Sequence, residues 1–170
     1  MRILLVEDER EMAAWLERAL AQSGFLPDPA HDARTAEVLL AAHEYDAVVM
    51  DLRLPDKHGL SVLAYTYNQL SEFDIARFYA QVLIDSATSE KTLCHARHHL
   101  IESLYGLGQW ELFSTTVESS VSHCVNNREL IFANLIRLKY FNYLLQTEQY
   151  QQADKYYDSF IDSVTKTNYP

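Results

Sequence analysis

The sequence predicts a parallel α/β segment followed by an all-α segment. Three observations carry that prediction. Two short, unbroken apolar runs, RILLV (2–6) and AVVM (47–50), each end in acids, with helical patterns between them. No proline occurs from Asp56 to Tyr169, a stretch that suits helices because a proline inside a helix costs about 3 kcal/mol. A helical pattern also recurs along that stretch at spacings of 37 and then 40 residues.

Each element of the first part follows from local pattern. Arg2 to Val6 is a strand buried on both faces, stopped by Glu7, Asp8 and Glu9. Met12, Trp15, Leu16, Ala19 and Leu20 recur at helical spacing, and Gly24 closes that helix. Phe25 to His31 is a weaker strand, and Pro27 and Pro29 confine it to an edge of the sheet. Asp32 caps a second helix carrying Ala36, Val38, Leu39 and Ala42. Ala47 to Met50 is a second buried strand, ending at Asp51. Strand–helix–strand–helix–strand with short loops makes a parallel unit. Its three strands take the order 2-1-3, which leaves the outer edge of the third open.

Composition changes near residues 61–66. No Asn occurs before residue 66 and all six occur after it, and nine of the eleven Tyr follow the same point. The domains expected are therefore 1–63 and 64–170. With 48% hydrophobic and 22% charged residues the chain reads as globular. A net charge of -10 argues against nucleic acid or an anionic membrane as principal partner. No segment approaches the roughly 18 apolar residues of a membrane span. MRILLVED is unlike a secretory signal, so a cytoplasmic location is expected. Cys94 and Cys124 are the only cysteines, and their spacing suggests no disulfide framework.

In parallel sheets functional groups collect at the carboxyl ends of strands, where Glu7, Asp8 and Asp51 fall. Three carboxylates so close repel one another unless a cation joins them. An all-oxygen set suits Mg²⁺, and a carboxylate beside Mg²⁺ is a plausible nucleophile toward a phosphoryl group. The plain alternative is a set of solvated loop acids.

VEDE (6–9), VVMDLRLPDKHGL (48–60) and the helix starting near Arg10 resemble the first half of a bacterial response-regulator receiver domain, over residues 1–63. The resemblance implies a flavodoxin-like fold and makes Asp51 the acceptor of phosphate from a histidine kinase. It makes Asp8 a direct Mg²⁺ ligand, Glu7 a ligand through water, and the backbone carbonyl of Arg53 a further ligand. Pro55 and Gly59 match the family's turn after the phosphorylated strand. A complete receiver runs to about 120 residues with five strands; the fourth ends in Ser or Thr and the fifth in Lys. No Lys-Pro exists here, and VLIDSATSE (82–90), the nearest imitation of a fourth strand, follows Asp51 by too many residues.

From Ser61 onward the pattern is helical. SEFDIARFYAQVLID (71–85), GQWELFSTTVESSVS (108–122) and EQYQQADKYYDSFID (148–162) align on an aromatic, Phe73, Trp110 or Tyr150, followed three residues later by Ala76, Phe113 or Ala153. Further helices precede these at about 61–70, 92–107 and 129–147. The last carries Ile131, Leu135, Leu138, Phe141 and Leu145 on one stripe with Ile136, Tyr140 and Leu144 beside it, so it should pack on two sides. Helix–turn–helix units at this period read as an α-solenoid of about three hairpins. LIESLYGLGQWELF (100–113) resembles a tetratricopeptide-type repeat, although Glu148 stands where Gly is usual and Phe113 where a small residue is usual. An unrelated helical bundle is the alternative.

One further cluster stands out. Cys94, His95, His98, His99 and Glu102 share one helix, and the spacing of His95 and His99 can place two ligands on one metal. The alternative is a His-rich helix end with packed and solvated rings. No Ser/His/Asp arrangement or Gly-rich phosphate loop is present, so no enzyme is expected. Two functions compete. One is a signalling protein whose receiver-like part takes phosphate while its helices dock a protein or peptide. The other is a non-catalytic helical scaffold capped by a receiver piece, in a natural or artificial fusion.

Overall fold

The computed structural model describes residues 1–55 and 58–166; positions 56–57 of the loop motif and 167–170 of the expected helical segment lie outside the described residues. Two compact units divide the chain, Met1–Ser86 and Ala87–Pro170.

The first unit holds β1 (Arg2–Val6), α1 (Arg10–Gln22), β2 (Leu26–Ala30), α2 (Ala33–Ala42), β3 (Ala47–Met50), α3 (Gly59–Gln69) and α4 (Phe73–Ser86). The strands are parallel in the order β2-β1-β3, as the sequence predicts. β1 is central, and Ile3, Leu4, Leu5 and Val6 are all buried. Alternate residues serve opposite faces. Leu4 and Val6 join Ala30, Ala33, Ala36, Leu54 and Val62 in one cluster with α2 and α3. α1 packs against β1 and β2. The prolines of β2 lie on an outer strand, where a missing N–H costs no ladder bond. Asp32 caps α2 by accepting the Thr35 N–H at 2.6 Å, and that bond holds its carboxyl below the usual range.

Two expectations in this unit need correction. β3 is only partly buried, with Val49 40% exposed, because it pairs with β1 alone. A cleft of about 690 Å³ lies among Ala47, Val48, Met50, Leu63, Tyr67 and Tyr79 where a further strand could have paired. On α1 the fully buried residue is Ala13, and of the expected apolar face Leu16, Ala19 and Leu20 are half-buried while Met12 and Trp15 stay exposed. The sheet beneath it is three short strands wide, too narrow to cover the whole helix.

The second unit is four stacked helices, α5 (Glu90–Gly106), α6 (Trp110–Asn126), α7 (Leu130–Gln146) and α8 (Tyr150–Lys166). α5 packs on α6 and α7, α6 on α7, and α7 on α8. Its core gathers Ile101, Leu104, Phe113, Val117, Ala133 and Ile136. Phe113 is fully buried, with its ring 5.7 Å from that of Tyr105 and 5.2 Å from that of Tyr143. Phe73, Trp110 and Tyr150 take the same place, the first residue of α4, α6 and α8. VLIDSATSE begins inside α4 and contributes no strand.

Four helix junctions share one geometry. α3–α4, α5–α6, α6–α7 and α7–α8 are each joined by three residues, the middle one left-handed: Ser71 (φ 60°), Gly108 (66°), Arg128 (63°) and Glu148 (57°). The N–H after it reaches back to close the preceding helix, as in Glu72 to Tyr67 (2.9 Å), Gln109 to Leu104 (3.1 Å), Glu129 to Cys124 (2.8 Å) and Gln149 to Leu144 (2.9 Å). This is the Schellman closure, which favours Gly because other residues pay for a left-handed backbone.

Two expectations also change here. Cys94 and Cys124, both fully buried, form a disulfide tying α5 to α6, with Cα atoms 5.6 Å apart. Spacing along the chain does not reveal that helix stacking brings them together. α7 packs between α8 and the α5–α6 pair, but the contact runs through Ile136 and Leu144, which are buried, while Ile131, Leu135 and Leu138 of the expected stripe remain exposed.

Phe113→Ala should destabilise the second unit by about 3–5 kcal/mol through the cavity it leaves, read as a lower urea midpoint at unchanged slope. Glu148→Gly should stabilise it by roughly 0.5–1 kcal/mol by relieving the left-handed backbone. A lower midpoint for that variant would contradict the assignment of the α7–α8 turn.

Candidate functional site

The register of the sheet builds the site. Val6 of β1 lies beside Met50 of β3, so the residues that follow, Glu7 and Asp8 on one strand and Asp51 on the other, leave the sheet at one level. The Asp51 N–H donates to the Val6 carbonyl at 2.9 Å, and the Glu7 N–H donates to the Ala30 carbonyl at 3.0 Å. These bonds extend the strand pairing one residue past each strand end and fix the acids against the sheet.

A carboxylate oxygen from each of Glu7, Asp8 and Asp51 lies within 4.8 Å of the others. Among the described residues none of the three is ion-paired to a basic side chain. The donors are all oxygen and all anionic, which fits a hard divalent cation and suits neither Zn²⁺ nor a soft metal.

The loop after Asp51 is folded back on itself. The Arg53 N–H donates to Asp51 Oδ1 at 3.0 Å, orienting the carboxylate. Arg53 and His58 form an isolated antiparallel bridge, and the Gly59 N–H donates to the Leu52 carbonyl at 2.8 Å. Leu54 anchors the loop by burial in the core. His58 Nδ1 accepts the Leu60 N–H at 3.3 Å at the start of α3, and burial pushes its imidazole below the usual range, which keeps that nitrogen free to accept. Gly59 has a steric reason to be glycine. A Cβ there would lie 2.6 Å from the Asp51 carbonyl oxygen and 2.9 Å from the Leu52 Cα.

The structure thus brings together Glu7, Asp8 and Asp51, with Arg53 engaged through its amide. His31, read from the sequence only as a strand end, also belongs here: its Nδ1 is 2.9 Å from the Glu7 carbonyl. Only the end of β2 beside β1 reveals it, and nothing in its local sequence does.

Residues 3–89 match the family described as response regulator receiver domain. The chain belongs to that family. The match spans just over half of this receiver chain and reaches past the last strand. The transcriptional regulatory protein TctD of Salmonella typhimurium strain SL1344 is 46% identical over 63 residues, 37% of this chain and 28% of that protein. TcrA of Mycobacterium tuberculosis is 45% identical over 64 residues, 38% of this chain and 25% of that protein. The chain therefore spans only about a quarter of the length of these relatives. The Francisella response regulator 1452 receiver domain is a solved structure with 25% identity and a TM-score of 0.40, covering 41% of this chain and 57% of that one.

The second unit offers a groove of about 430 Å³ among α6, α7 and α8, with Glu118, Arg137 and Tyr156 among its polar lining. Burial pushes the Tyr156 phenol up to about 12.

Gly59→Ala should push the Asp51–Leu52 backbone out of place. The expected result is a lower unfolding midpoint, read by urea denaturation. A wild-type midpoint would show that the contact relaxes harmlessly.

Proposed function

We propose that the first unit accepts a phosphoryl group on Asp51 from a histidine kinase, and that the helical unit docks a protein or peptide partner. The observation that carries this reading is the meeting of three carboxylates at the ends of adjacent strands in a chain of the receiver family. In it, Asp8 and Asp51 hold Mg²⁺ directly, Glu7 holds it through water, and the Arg53 carbonyl supplies a further oxygen. The chemistry a bound Mg²⁺ supplies is Lewis-acid neutralisation of phosphoryl charge. Asp51, held by the Arg53 N–H, is the nucleophile: its carboxylate oxygen bonds to phosphorus while the bond to the donor's leaving atom breaks and its electron pair departs with the donor. The chain is a substrate and carrier of the group, with no turnover of its own.

The family's Lys and Ser/Thr have no counterpart in the sequence pattern, so transfer should be slow. Cationic groups placed on developing charge are often worth several kcal/mol. The helical unit is read as irregular tetratricopeptide-like hairpins, supported by the repeated turn and the equivalent places of Phe73, Trp110 and Tyr150. The change of composition at 61–66 favours a join between segments of different origin, 1–63 and 64–170. A cytoplasmic location accords with a kinase partner.

The second reading is a non-catalytic scaffold in which the receiver piece is a structural cap. It is favoured by a second unit with a hydrophobic core of its own. Incubation with Mg²⁺ and acetyl phosphate should add one phosphate by intact mass, and Asp51→Asn should abolish the gain. No Asp51-dependent gain rejects phosphorylation and favours the scaffold. Loss of partner binding in Asp51→Ala counts against the scaffold.

A further inference from the structure

We propose that His98, His99 and Glu102 on α5 form a binding site for a borderline divalent transition metal, Zn²⁺ first among them, and that Lys139 competes for its carboxylate. A ring nitrogen of each histidine and a carboxylate oxygen of Glu102 lie within 4.8 Å of one another. Spacings of three and four residues on a helix put His99 and His98 beside Glu102. The sequence pairs His95 with His99, but the converging set uses His98 in place of His95, and His95 stacks on Phe132 (4.8 Å) and against His99 (4.4 Å). That contact packs against the His99 ring and limits its rotation.

One further observation points to a ligand. Among the described residues the buried His98 Nδ1 has no hydrogen-bond partner, a costly state for a polar atom. Two imidazoles and one carboxylate are a common Zn²⁺ set with a fourth position left for water, and they differ in kind from the all-oxygen set at the sheet.

The pocket already contains a cation. Lys139 Nζ is 3.0 Å from Glu102 Oε1 and lies 5.1 Å from the Tyr105 ring centroid. Zn–N and Zn–O bonds of about 2.0–2.2 Å require the three donors to draw together, and a bound dication repels the ammonium. Metal entry thus moves Lys139 off Glu102. Removing Lys139 removes a competitor and leaves every ligand in place.

The test is Zn²⁺ titration of the untagged full chain without reductant, by calorimetry, in excess Mg²⁺ so that the acidic site is filled. Tetrahedral Co²⁺ absorption is the second readout. One Zn²⁺ per chain is expected. Loss of a mere outer partner costs about 10–100-fold in affinity, so His98→Ala and Glu102→Gln should each lose at least roughly that much. Lys139→Met should bind Zn²⁺ more tightly, and it remains decisive if His98→Ala fails to fold. No Zn²⁺ bound, wild-type affinity in both ligand variants, or no gain in Lys139→Met overturns the proposal.

Discussion

The first unit depends on the parallel pairing of β1 with β3. A slip of one residue in that register would turn Leu4 and Val6 away from the cluster with Ala33, Ala36 and Val62. The same slip would separate Asp51 from Glu7 and Asp8. Core and acidic site are therefore specified together by the one register that sets Val6 beside Met50. The apolar contact supplies the free energy, and the like charges at the strand ends are carried at its expense.

In the second unit the repeated constraint is the three-residue turn. Each turn reverses the chain through one left-handed residue and one long-reaching N–H, so successive helices are joined by the same reversal although the left-handed residue differs. The same turn joins α3 and α4 in the first unit. The helical style therefore begins at the composition change, before the compact boundary after Ser86.

Much of this was legible. Two apolar runs ending in acids foretold the strands, their order and the meeting of three carboxylates, because burial on both faces and charge at strand tips are local patterns. Helix boundaries were legible from Phe73, Trp110 and Tyr150, which begin their helices. What was hidden was long-range or lacked a residue signature. Ser71, Arg128 and Glu148 occupy left-handed positions that a reader assigns to Gly. The Cys94–Cys124 link depends on how α5 meets α6. Exposure of Trp15 and Ile131 could not be foreseen either, because an apolar stripe tells what a helix can bury and not whether a neighbour is there to cover it.

That covalent link has a kinetic consequence. Both sulfurs are fully buried, and an attacking thiolate must approach a disulfide sulfur directly. Exchange must wait until α5 and α6 part. The speed at which a small thiol cleaves the bond therefore clocks the transient parting of those two helices, and offers a built-in gauge of how often the interior breathes.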